Sequence, residues 1–190
     1  MNKSNIHTSG FSLAKQKELT GDDFYEIKVF DDVMVAVVCD GVGSAQEGAL
    51  AAKRVTKYLI NNFKNRPEAW SIEKSIKKFI SSINAILYHE SIQNYERVEL
   101  VTTVAIVVID GNRIYGANVG DSRVYLYRDN KLNQLSHDHN MEEEGYENVL
   151  TDAIGLHEKV ELFYFENNLE KNDQILLCSD GLYNLLNKKQ

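Results

Sequence analysis

The chain has 190 residues, room for one domain with a substantial core. Hydrophobic residues make up 43% and charged residues 26%, with 11 glycines and a single proline, which excludes a collagenous, proline-rich or low-complexity chain. A formal charge of −7 repels polyanions, so nucleic acid is not an expected partner, and no apolar run approaches the ~20 residues of a membrane helix.

The polar stretch 1–10 has no signal-peptide core. Cys39 and Cys178 lie inside apolar runs, which predicts buried, reduced thiols and a cytoplasmic location. A first strand is expected at 24–30, followed by a turn at Asp31-Asp32 and a buried, β-branched strand at 33–39. Residues 45–64 repeat Ala52, Val55, Leu59 and Phe63 at helical spacing, and Pro67 stands just beyond as a stop. Residues 71–93 carry the cleanest stripe (Ile72, Ile76, Phe79, Ile80, Ile83, Ile86, Leu87), with Ser71 as N-cap and Lys74, Lys77 and Lys78 on the wet face.

From residue 101 the period becomes that of strands. Asp110-Gly111 joins 104–109 to 113–119 as a hairpin, and strands at 124–127 and 132–135 extend it, so a four-stranded meander is expected. Residues 136–150 lose the period and read as an acidic surface loop or short helix. Residues 161–166 alternate weakly, 174–178 form a last strand, and a helix begins near Leu182.

Three apolar strands end in an aspartate beside a glycine: at Asp40-Gly41, Gly120-Asp121 and Asp180-Gly181. A fourth acidic pair, Asp22-Asp23, precedes the first strand. One such aspartate is an ordinary turn residue. Several on rigid strand ends can converge on one rim, where their charges repel unless hard divalent cations such as Mg²⁺ or Mn²⁺ intervene. Two such ions suit phosphoester hydrolysis by water, with no nucleophilic side chain. The rival reading of 35–55 as a dinucleotide-binding turn fails, because Gly41 and Gly43 are followed by Gln46 where a third glycine belongs. His137-Asp138-His139 lies in a polar loop and is a weak ligand candidate.

The chain resembles the metal-dependent 2C-type serine/threonine protein phosphatases. The matching pieces run in order: Gly21-Asp22-Asp23-Phe24, Val38-Cys39-Asp40-Gly41-Val42-Gly43, Val101-Thr102-Thr103, Ala117-Asn118-Val119-Gly120-Asp121-Ser122-Arg123, Leu135-Ser136-His137-Asp138-His139, Leu150-Thr151-Asp152-Ala153-Ile154-Gly155 and Leu177-Cys178-Ser179-Asp180-Gly181-Leu182. The resemblance implies a single α+β domain over 1–190, a four-layer α-β-β-α sandwich of two mostly antiparallel sheets flanked by helices. It implies Mg²⁺- or Mn²⁺-dependent hydrolysis of phosphoserine and phosphothreonine in proteins by a metal-activated water. Asp40 would bridge two ions, the Gly41 carbonyl and Asp180 would bind them, and Asp22 and Asp23 would act through water. Asp121 would belong to a third, weaker site, and 136–150 would be the flap beside the substrate. Asp40, Asp121 and Asp180 are thus the expected catalytic set.

Departures from the family pattern accompany the match. Ser44 stands where a second glycine is usual, and Val42 where many members carry a histidine that serves as general acid. Glu18 occupies the place of a phosphate-holding arginine, leaving Lys15 and Lys17 as substitutes. The family's terminal strand pair, with a further metal-binding aspartate, is not found before Gln190, so the domain is expected to be C-terminally truncated, lacking those terminal strands. Expected partners are a phosphorylated protein and, in a longer parent, a kinase or sensor domain. The alternative is a non-catalytic phosphoprotein- or partner-binding module.

Overall fold

The structure, a computed structural model, describes residues 6–14, 21–30, 33–146 and 149–187. In chain order its elements are β1 (Phe24–Phe30), β2 (Val33–Cys39), β3 (Gly41–Val42), α1 (Ala45–Lys64), α2 (Ile72–Tyr95), β4 (Val101–Thr102), β5 (Val104–Asp110), β6 (Arg113–Val119), β7 (Arg123–Arg128), β8 (Lys131–Gln134), β9 (Phe163–Asn168), β10 (Gln174–Cys178) and α3 (Asp180–Asn187). The expected turn at Asp31-Asp32 lies outside the described residues.

A five-stranded antiparallel sheet runs β1-β2-β5-β6-β9, and a three-stranded one runs β10-β7-β8. β2 and β5 are continuous apolar runs because both faces of the large sheet are covered. Val35, Val37, Cys39, Val104, Ile106 and Val108 meet Val55 and Leu59 of α1 and Ile76 and Ile80 of α2. The alternate residues Met34, Ala36, Ala105, Val107 and Ile109 meet Val124, Ile175 and Leu177 of the small sheet. This is the sandwich the resemblance implies: antiparallel sheets back to back, with helices flanking them.

Both long helices start where a serine caps them. The Ser44 side chain accepts from the Glu47 N–H, and Ser71 from the Lys74 N–H. α2 ends at Glu96, which adopts the left-handed conformation at φ 57°. Ile86 is 43% exposed, so it lies off the stripe to which the sequence pattern assigns it. Leu87 takes the inward place, and its neighbour is turned about 100° away. Lys74, Lys77 and Lys78 are exposed as expected, with Lys74 over the Trp70 ring and Lys77 over Tyr164.

The expected meander is broken. β5 and β6 pair as a hairpin, and β7 and β8 pair, but β6 and β7 lie in different sheets. The cause is Gly120, at φ 88°, which turns the chain out of the large sheet. Residues 136–150 form a loop rather than a helix among the described residues, closed by a bridge between Asn140 and Leu150. α3 starts at Asp180, two residues ahead of the expected Leu182.

Candidate metal centre

Register brings the acidic residues together. Phe24 pairs with Cys39, so the residues flanking that pair, Asp23 and Asp40, lie side by side at one end of the large sheet. The Gly41 N–H donates to the Asp22 carbonyl at 3.2 Å, drawing Asp22 into the same corner. Ligand oxygens of Asp22, Asp23 and Asp40 all fall within 4.8 Å of one another. In the small sheet Cys178 pairs with Arg123, so Asp180, two residues after one, faces Asp121, two residues before the other. The like charges of Asp180 and Asp121 both act on Asp40. The sandwich thus clusters Asp22, Asp23 and Asp40 at one end, with Asp121 and Asp180 outside that cluster but near enough for their charges to act on Asp40.

Asp40 is held by its backbone. Its N–H donates to Thr103 Oγ1 at 3.1 Å, and its carbonyl accepts from Thr102 Oγ1 and from the Thr103 N–H, each at 2.8 Å. Thr103 Oγ1 also bonds Ser122 Oγ at 2.7 Å, tying the corner to the residue after Asp121. The Ser179 hydroxyl donates to Asp23 Oδ2 at 3.2 Å, and the Tyr183 hydroxyl to the Asp121 carbonyl at 3.1 Å. Thr102, Thr103 and Ser122 are fully or almost fully buried. Sequence reading assigns none of these hydroxyls a role, although a Thr-Thr pair ahead of an apolar strand is a visible signal. Thr103→Val keeps the shape but leaves the Asp40 N–H without its acceptor. The expected loss is about 5 °C in Tm, read by circular dichroism on metal-free protein.

Gly41 is required by close approach. Its β3 segment lies against the first turns of α1, where a Cβ on Gly41 would overlap the Gly48 carbonyl. The Gly41 backbone therefore sits beside the acidic cluster with no side chain over it.

The electrostatics are unfavourable for a bare cluster. Burial, reinforced by Asp23, Asp180, Asp22 and Asp121, pushes the Asp40 carboxyl up to about 8. Burial also raises Asp23, against the lowering effect of the Ser179 hydroxyl, and raises Asp121, against the bond from Asn140. Among the described residues none of the five aspartates forms an ion pair with a lysine, arginine or histidine. An oxygen-only donor set lacking a counter-charge fits a hard divalent cation. The nearby sulfur does not compete: the Cys39 thiol is buried and pushed up to about 12.

The carboxylate cluster of Asp22, Asp23 and Asp40 does not include His137 or His139. His137 is exposed, and His139 Nδ1 accepts the Gly120 N–H at 3.3 Å. Lys15, Lys17 and Glu18 lie outside the described residues. Asp138, between the histidines, holds Arg123 through Nε and Nη2 at 2.9 and 2.6 Å, and Arg123 lies 3.5 Å from the centre of the Tyr183 ring.

The profile of the Protein phosphatase 2C family matches residues 12–190. The serine/threonine phosphatase stp of Listeria welshimeri is 31% identical over 176 residues, covering 82% of this chain and 69% of that protein. A putative protein phosphatase of Mycoplasma genitalium is 27% identical over 216 aligned positions, covering 100% of this chain and 83% of that protein. Among solved structures, the S. agalactiae serine/threonine phosphatase superposes with a TM-score of 0.79 at 26% identity, over 89% of this chain and 77% of that one.

Proposed function

The chain belongs to the protein phosphatase 2C family, and from that premise we propose that it hydrolyses phosphoserine and phosphothreonine esters in proteins with Mg²⁺ or Mn²⁺. The observation that carries this reading is the cluster of Asp22, Asp23 and Asp40, with the charges of Asp121 and Asp180 acting on Asp40 and no cationic partner among the described residues. Asp40, the Gly41 carbonyl and Asp180 would supply the protein ligands for two such ions. Asp22 and Asp23 would act through water, and Asp121 would serve a third, weaker site. Bound cations supply a water of lowered pKa and neutralise the charge on the phosphoryl oxygens.

The protein's own part is to hold those carboxylates on strand ends fixed by Thr102, Thr103 and Ser179, so that little reorganisation accompanies the reaction. Val42, where many relatives of this type carry histidine, has no proton to give, so the departing hydroxyl would take its proton from water at the site or from the neighbourhood of Asp121. Lys15 and Lys17 remain the candidates for holding substrate phosphate. A phosphorylated protein is the partner, and a kinase or sensor domain in a longer parent chain is a second one. The buried free thiols Cys39 and Cys178 favour a reducing, cytoplasmic setting. No described helix is long and apolar enough to cross a membrane. We treat 1–190 as a single domain.

The test is hydrolysis of a phosphothreonine peptide, titrated with Mn²⁺, beside a chelator control. Phosphate release that rises with Mn²⁺ and vanishes with chelator is expected. A folded chain that binds the peptide without releasing phosphate would instead support the binding-module reading.

A further inference from the structure

β6 ends at Val119, and the backbone then crosses from the large sheet to the small one. At that crossing one side chain does what a neighbouring strand does elsewhere. Asn118 is fully buried. Its Oδ1 accepts the His137 N–H at 3.1 Å, and its Nδ2 donates to the His137 carbonyl at 2.6 Å and the Gly120 carbonyl at 3.0 Å. Three of the four hydrogen-bonding positions of the amide are therefore used, and all three go to the backbone.

The loop answers from its own side. The His139 N–H donates to the Gly120 carbonyl at 3.2 Å, and His139 Nδ1 accepts the Gly120 N–H at 3.3 Å. Asn140 Nδ2 then reaches Asp121 Oδ2 at 3.5 Å. Gly120 has little freedom to move away: a Cβ there would press on Thr103, which also holds Asp40. A cavity of about 520 Å³ opens beside this loop, lined by Arg123, His137, Asp138, His139, Asn140 and Thr151 among others.

We propose that Asn118 is a positioning residue that locks the base of the 137–140 loop to the turn carrying Asp121. The cavity wall and the Asp121 carboxylate then keep one fixed relation. A substrate long enough to enter the cavity feels that relation, and a small phosphate ester does not. The kinetic half of this inference rests on the phosphatase reading, whereas the structural half does not.

The test combines hydrogen exchange on the whole chain with kinetics of Asn118→Ala. Exchange at the 120–122 and 137–141 segments is expected to quicken roughly tenfold or more, while 104–110 keeps wild-type protection. The KM for a phosphothreonine peptide is expected to rise roughly tenfold, with the KM for p-nitrophenyl phosphate changed by less than about twofold. Asn118→Asp keeps the acceptor for the His137 N–H but loses both donors, so its 137–141 protection should fall between the two. Should Asn118→Ala lose its cooperative melt, His139→Ala opens the same junction from the loop side without emptying a site in β6, and carries the same expectations. Wild-type exchange in both segments, or equal losses on the two substrates, would overturn the proposal. A wild-type chain with no turnover would remove the phosphatase reading and leave the exchange result to decide the lock.

Discussion

Asp40→Asn makes the metal-free protein more stable at pH 8 while abolishing its response to divalent cations. The ordinary value for this carboxyl is 3.8, and burial among four other aspartates raises it to about 8. Between those values the folded chain binds the proton more tightly than the unfolded chain does. Stability contributed by that proton is complete below about 4 and is lost as the pH climbs through 8. Asparagine cannot ionise, so the variant escapes the loss. The expected gain in Tm is about 5 °C at pH 8, the response of a chain this size to ~2 kcal/mol, shrinking toward zero at pH 4. Adding Mn²⁺ should raise the wild-type Tm, since a ligand that binds only the native state stabilises it, and leave the variant unmoved. Phosphopeptide turnover should fall roughly a thousandfold, as when a preorganised electrostatic group is removed. Melts at pH 4, 6 and 8 with and without Mn²⁺ test the stability half. A variant with the wild-type pH slope and the wild-type Mn²⁺ shift would sink the reading of Asp40.

Gly48→Ala is expected to destabilise the protein although helix propensity argues the reverse. Gly48 lies inside α1, where alanine is favoured by ~1 kcal/mol. An added Cβ would stand 2.9 Å from the Gly41 carbonyl carbon and 3.0 Å from the Val42 nitrogen and oxygen. All three are backbone atoms, in a strand pinned to β4 and to the Thr102–Asp40 bonds, so none can swing aside. Overpacking of this kind costs roughly 1–3 kcal/mol and outweighs the propensity gain. A net fall in Tm of about 4 °C should therefore accompany a loss of activity of roughly tenfold or more, because the strain falls on Asp40-Gly41. A rise in Tm would mean that α1 can lift from β3 freely.

Much of the fold was legible in the amino-acid sequence. Val33–Cys39 reads as a buried strand because both its faces are covered, and α1 and α2 read as helices because only one face of each is. The weakly patterned β9 is an edge strand, partly exposed, so its alternation is diluted. The meander was misread because a hairpin signal such as Asp110-Gly111 reports only its own turn. Nothing local says that the next turn, at Gly120, changes sheets. The strand-end aspartates were visible for the opposite reason: the same short pattern recurs wherever a strand reaches the rim. The hydroxyls of Thr102, Thr103, Ser122 and Ser179 were not, because a serine or threonine acquires its partner only through contacts distant in the chain. Asn118 Oδ1, for example, finds the His137 N–H.

The bond from Ser179 to Asp23 spans 156 positions of the chain. Contacts of that reach close last, after the local hairpins and helices have formed, because each long loop must be shut before its contact is rewarded. During synthesis the Asp22-Asp23-Asp40 corner therefore emerges long before Asp180 and the hydroxyl that steadies Asp23. A nascent chain thus carries three crowded carboxylates for a long interval before Asp180 can join them.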